Sequence, residues 1–133
     1  MISYRIDRPA GLLKCRAQDG ISVLDVANHL QALLRDPEFT PGLDALITVV
    51  DLVSIPPLDM VRYLRPLISG WAARGGEARW ALVLPNEVTR VLAETARAHL
   101  PLHQVEARCF LAEAAALEWL GVRSKRTAVA PAR

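Results

Sequence analysis

The run Ala45-Leu46-Ile47-Thr48-Val49-Val50-Asp51-Leu52 constrains this chain more than any other segment. It is rich in β-branched residues and does not alternate between apolar and polar positions. Such a run fits a central strand buried on both faces, as in a helix-covered parallel sheet. Asp51 falls near its carboxyl end. The rest of the chain must therefore supply neighbouring strands and the helices that cover them.

Upstream, residues 2–7 alternate, with Ile2, Tyr4 and Ile6 on one side and Ser3, Arg5 and Asp7 on the other. That period of two predicts a strand with one solvated face. Pro9-Ala10-Gly11 is a turn, and residues 12–17 form a second strand, so a short antiparallel hairpin is expected. Ser22 is placed to cap a helix, with Asp25 at the capping-box position. Val23, Val26, Ala27, Leu30, Leu33 and Leu34 give that helix one apolar stripe, and Asp36-Pro37 ends it near Arg35.

Downstream, Ile55-Pro56-Pro57 forces an extended connection, and Pro57 suits the first turn of a second helix. Met60, Val61, Leu64, Leu67, Ile68 and Trp71 recur there at helical spacing. Pro66 should kink or divide this helix, because it lacks an N–H and crowds the preceding turn. Gly75-Gly76 ends it, and residues 80–84 form a fourth strand. Asn86 caps a third helix whose expected inner face is Val88, Val91, Leu92, Thr95 and Ala96, and Pro101 ends it. Residues 105–111 make a fifth strand, and residues 112–120 a last helix stopped by Gly121.

The order β-β-α-β-α-β-α-β-α predicts an α/β fold: a five-stranded, mixed but mostly parallel sheet with four helices. Residues 1–121 form the single domain. Residues 122–133 show no apolar period and are expected to be a flexible basic tail. The length of 133 residues allows one core, and 52% hydrophobic residues with a net charge of +2 exclude an intrinsically disordered chain. Arg123, Lys125, Arg126 and Arg133 stand in the tail without an acid, so the domain itself is mildly acidic. No apolar run is long enough for a transmembrane segment, and no apolar stretch follows Met1 as a secretory signal would require. The expected location is cytoplasmic. Cys15 and Cys109 lie in strand segments as small hydrophobes. His99 and His103 are separated by Pro101, which breaks the helix that would align them, so no metal site is expected.

Several motifs resemble those of the STAS fold, in particular a SpoIIAA-like group of small bacterial proteins. They are Gly20-Ile21-Ser22-Val23-Leu24-Asp25, then Asp36-Pro37-Glu38-Phe39 with Pro41-Gly42, and then Cys109-Phe110-Leu111 followed by Glu113-Ala114 and Trp119-Leu120. The strand ending Asp51-Leu52 also fits. The resemblance implies a STAS-like fold that works through protein contacts. In the anti-sigma-factor antagonists of this fold, an Asp-Ser pair opens the next helix and a partner kinase phosphorylates the Ser. Here Asp59 is followed by Met60, so that phosphorylation switch is not expected. Some members of the looser group resemble lipid-binding domains of the CRAL-TRIO type.

In open α/β sheets ligands bind outside the carboxyl ends of the strands. That edge should carry Asp51, Ser54, Asn86 and Glu87. Asp51 reads as a cap of the connection after its strand. A receiver-type phospho-acceptor would need a late lysine, and Lys14 and Lys125 are the only lysines. Ser54 is open to modification or satisfies local backbone. No nucleophile elbow, Walker pattern or dinucleotide fingerprint occurs, and His29 and His103 have no identifiable partner. No enzyme activity and no cofactor are expected. Arginines are interspersed with acids, so a specific nucleic-acid reader is not indicated. The apolar second helix is core, a homodimer face or the wall of a groove for an apolar ligand. The candidate contact surface is therefore Ser54, Pro57, Asp59, Met60, Leu64 and Trp71. The first reading is a non-enzymatic STAS-like regulatory or protein-interaction module, and the alternative is a binding domain for a lipid or other apolar small molecule.

Overall fold

The computed structural model describes residues 2–18, 23–40, 42–50, 77–99 and 105–121, together with the backbone positions of Arg62, Arg65 and Ser69, which are helical. The sheet contains β1 (Ile2–Asp7), β2 (Leu12–Ala17), β3 (Asp44–Val49), β4 (Ala78–Val83) and β5 (Val105–Phe110), in that spatial order. β1 and β2 are antiparallel, and β2 through β5 are parallel. The helices with described bounds are α1 (Val23–Arg35), α2 (Glu87–Ala98) and α3 (Glu113–Leu120). The expected mixed, mostly parallel five-stranded sheet is thus observed. Arg62, Arg65 and Ser69 fall within the sequence's second helix, and the other residues of that segment lie outside the described ones.

The hairpin closes where the sequence places it. Asp7 Oδ1 accepts the N–H of Ala10 at 3.3 Å, and the N–H of Gly11 donates to the Arg8 carbonyl at 3.0 Å. Gly11 takes φ +63°, the left-handed region that glycine adopts without cost. β3 is buried on both faces as expected, with Ala45 and Leu46 at 1% and 3% exposure. It ends earlier than the β-branched run does. The N–H of Val50 donates to the carbonyl of Ala17, the last residue of β2, and Val50 itself is exposed. Asp51 and Leu52 lie outside the described residues.

Strands added side by side with right-handed crossovers place their connecting helices on one face. α1 and α2 accordingly share a face. Leu30 and Leu33 of α1 pack on Leu13, Cys15, Ala45 and Trp80. Ala93 of α2 packs on the cluster of Ala17, Val49 and Leu84 at the carboxyl ends of the strands. After the edge strand β5, α3 crosses to the opposite face, where Ala116 and Leu120 meet Leu12, Leu46, Ala81 and Val83. α3 has only eight residues and covers β3, β4 and β5. Ser3, Arg5 and Arg16 on the β1–β2 part of that face are exposed.

The third predicted helix forms, but of its expected inner face only Leu92 and Ala96 turn inward. Val88 is 70% exposed and Val91 49%, while Ala96 is buried. Thr95 is exposed too, its hydroxyl donating to the Val91 carbonyl at 2.9 Å. Periodicity alone fits two rotations of this helix. The small residues Ala93 and Ala96 allow closer approach to the sheet, and packing selects them. At the end of α3, Gly121 takes φ +77° and its N–H returns to the carbonyls of Leu117 and Glu118, as a left-handed helix stop does.

Candidate functional site

The parallel strands all end at one edge of the sheet, and that edge holds the candidate site. Among the described residues there, the polar groups at the start of α2 bind one another. The Asn86 side chain accepts the Thr89 N–H at 2.9 Å, and Thr89 Oγ1 accepts the Asn86 N–H at 3.3 Å, a complete capping box. The strand-end residue Asn86 is therefore occupied as the cap of α2. Glu87 pairs with Arg90, whose guanidinium holds the Glu87 carboxyl below its usual range. Asp51, Ser54, Pro57, Asp59, Met60, Leu64 and Trp71 lie outside the described residues.

Beside the exposed Asn86 and Glu87, the described residues of this edge leave large apolar side chains exposed to solvent. Leu24 is in the first turn of α1, Val50 follows β3, Val88 and Val91 are in α2, and Leu111 follows β5, all exposed. The order of elements brings them to one rim. Sequence reasoning missed them because Val88 and Val91 fit an inward stripe equally well. For Leu24 and Leu111, nothing local distinguishes exposure from burial.

A second cluster lies between β1, β2 and α1. Cys15 Sγ is 3.3 Å from His29 Nε2, the Tyr4 ring meets His29 edge-on at 5.5 Å, and the Tyr4 hydroxyl donates to Asp36 Oδ2 at 2.6 Å. Burial pushes the Cys15 thiol up to about 12 and lowers the His29 imidazole. Both groups are thus neutral near pH 7. Nucleophilic cysteine chemistry instead needs a thiolate, stabilised by an adjacent positive charge. This pair is a packed part of the core, and His29 has partners that the sequence did not disclose. Tyr4 is pushed up to about 12, first by its hydrogen bond to Asp36 and then by burial.

A groove of about 940 Å³ runs along the outer side of β5, bounded by Glu94, Arg97 and Ala98 of α2. Arg97 and Glu94 pair at 2.7 Å across its wall. Cys109 opens toward it, with its thiol pushed up to about 12 by burial and by a hydrogen bond with Glu94. Among the described residues no group of three or more His, Cys, Asp or Glu side chains is arranged to hold a metal ion. No helix among them is long and apolar enough to cross a membrane. Comparison of the chain with family models, curated proteins and solved structures gives no match.

Proposed function

We propose that this chain is a non-enzymatic STAS-like module of the cytoplasm that works by protein contact. The observation that carries the reading is the apolar rim of Leu24, Val50, Val88, Val91 and Leu111 at the carboxyl edge. A single exposed leucine is ordinary, but apolar side chains gathered on one edge mark a contact surface. The described polar groups at the start of α2 already bind one another, which leaves the apolar side chains to supply the contact energy. The STAS-like part of the reading rests on the sequence motifs within residues 20–25, 36–42 and 109–120. The alternative, an apolar-ligand domain, draws no support from the groove beside β5, which is lined by Glu94, Arg97, Glu106 and Arg108.

Native mass spectrometry of the protein purified from its own cells tests this. The wild type should retain a protein partner other than a second copy of itself. A Val88→Ser, Leu111→Ser double variant should lose it while keeping the wild-type circular dichroism. A partner held equally by both proteins would remove the rim from the interface. A small apolar adduct with no protein would favour the ligand-binding alternative.

A further inference from the structure

β5 is the last strand of the sheet, so one of its backbone edges has no strand partner among the described residues. The Phe110 carbonyl accepts the Leu84 N–H at 2.9 Å and therefore faces β4. Backbone direction alternates along a strand, so Glu106 and Arg108 also turn their backbone groups toward β4. Val105, Ala107 and Cys109 turn theirs outward. Side chains alternate as well. Val105, Ala107 and Cys109 point to the face covered by α2, and Glu106 and Arg108 to the other, where both are exposed.

We propose that β5 pairs antiparallel with β5 of a second copy of this chain, about a two-fold axis through Ala107. In that register Ala107 opposes Ala107 of the second copy, and Val105 opposes its Cys109. These are the residues with outward backbone groups, so each such pair exchanges two hydrogen bonds. Glu106 then opposes Arg108 of the second copy, and symmetry repeats the contact. They fall in non-hydrogen-bonded positions, where opposing Cα atoms approach to about 4.5 Å and side chains interact most closely.

Charge selects this register. Moving the axis one residue either way sets Glu106 against Glu106 or Arg108 against Arg108. Edges guarded against self-pairing carry charged side chains, lysine above all, or proline or bulges. This one carries an acid and a base symmetric about an alanine. Among the described residues Glu106 has no ion-pair or hydrogen-bond partner, and the described contact of Arg108 is with the Trp119 ring at 5.6 Å. The groove beside β5 gives the second strand room. The wall it meets, Glu94 with Arg97, is already paired and offers no net charge to repel a copy of itself. The interface is centred on Ala107, and although Leu111 of the rim adjoins β5, Val88 and Val91 lie on α2, so substitutions there and at Glu106 or Arg108 test the two surfaces separately.

The test is light scattering and native mass spectrometry of the full chain. Four proteins are compared: wild type, Glu106→Arg, Arg108→Glu, and the swap that carries both changes. The wild type should be a dimer, and each single variant should dissociate at least about tenfold more readily. An equimolar mixture of the two single variants should form a mixed dimer, and the swap should restore the homodimer. Arg108→Glu also removes a contact with Trp119, and the mixture and the swap separate that loss from the loss of pairing. A monomeric wild type would overturn the proposal. So would single variants that dimerise like wild type, or a swap that stays monomeric.

Discussion

Arg79 Nη2 donates to the carbonyl of Leu120 at 2.6 Å, and this bond ties the end of α3 to the start of β4. Arg79 Nη1 takes the Trp119 carbonyl at 2.8 Å, and the Arg79 backbone N–H donates to Asp44 Oδ1 at 2.9 Å. The guanidinium thus satisfies carbonyls that a helix end leaves without partners. α3 offers no basic residue of its own in its last turn. Arg79→Met should cost roughly 1–2 kcal/mol, discounted for partial exposure. Urea unfolding gives the loss, and hydrogen exchange should show α3 opening before the sheet.

The Tyr4–Asp36 bond predicts a pH signature. It holds the Asp36 carboxyl below its usual range, with a further contribution from the Glu38 N–H. An acid whose pKa is lowered by folding lends stability above its unfolded value and loses it as pH falls through the folded one. Tyr4 is raised, so its contribution is present below pH 10.0 and is lost as pH climbs toward about 12. Tyr4→Phe should move the Asp36 titration upward, which carboxyl NMR resonances report directly. An unchanged Asp36 would show that the bond does not persist in solution.

The buried Cys15–His29 contact predicts loss of stability in acid. The His29 pKa is lowered by burial, so its contribution is present above 6.5 and falls away as pH drops through the folded value. His29→Gln should flatten the stability curve between neutral pH and moderate acid. Cys15, at about 12, should react with a thiol reagent at pH 8 only after unfolding. Rapid labelling of Cys15 in the native protein would contradict its burial.

The rotation of α2 is open to a paired substitution. Val88→Ser lies on the exposed side and should change stability by no more than about 0.5 kcal/mol. Ala96→Leu adds volume against the sheet and should cost about 1–3 kcal/mol. The opposite ranking in urea melts would mean that Val88 and Val91 face the core.

On the far side of the sheet, Leu120 is fully buried against Leu12, Leu46 and Ala81. Leu120→Ala should cost about 2–5 kcal/mol, because an eight-residue helix has few side chains to close the cavity.

Local chemistry in the sequence was enough to place the hairpin, with Gly11 at its turn, and the stop of α1 at Asp36-Pro37. It also placed Asn86 at its cap and Gly121 at the end of α3. Each depends on backbone preferences and neighbours a few residues away. The run at residues 45–52 likewise marked the central strand, observed over Asp44–Val49, because burial on two faces leaves no polar alternation. What depends on distant partners was not legible. Arg79 finds Leu120 forty-one positions away, Tyr4 finds Asp36 thirty-two away, and His29 finds Cys15 fourteen away. The face of α2 that is buried was settled by packing, which brings Ala93 onto Ala17, Val49 and Leu84 and buries Ala96, since spacing alone also admits Val88 and Val91. The exposed rim and the free edge of β5 arise from strand order, and strand order is a property of the assembled sheet. The sequence by itself determined the kinds of element and where they stop. Tertiary packing decided which faces meet, because one apolar period satisfies more than one rotation until volume and hydrogen bonds on a neighbouring element choose between them.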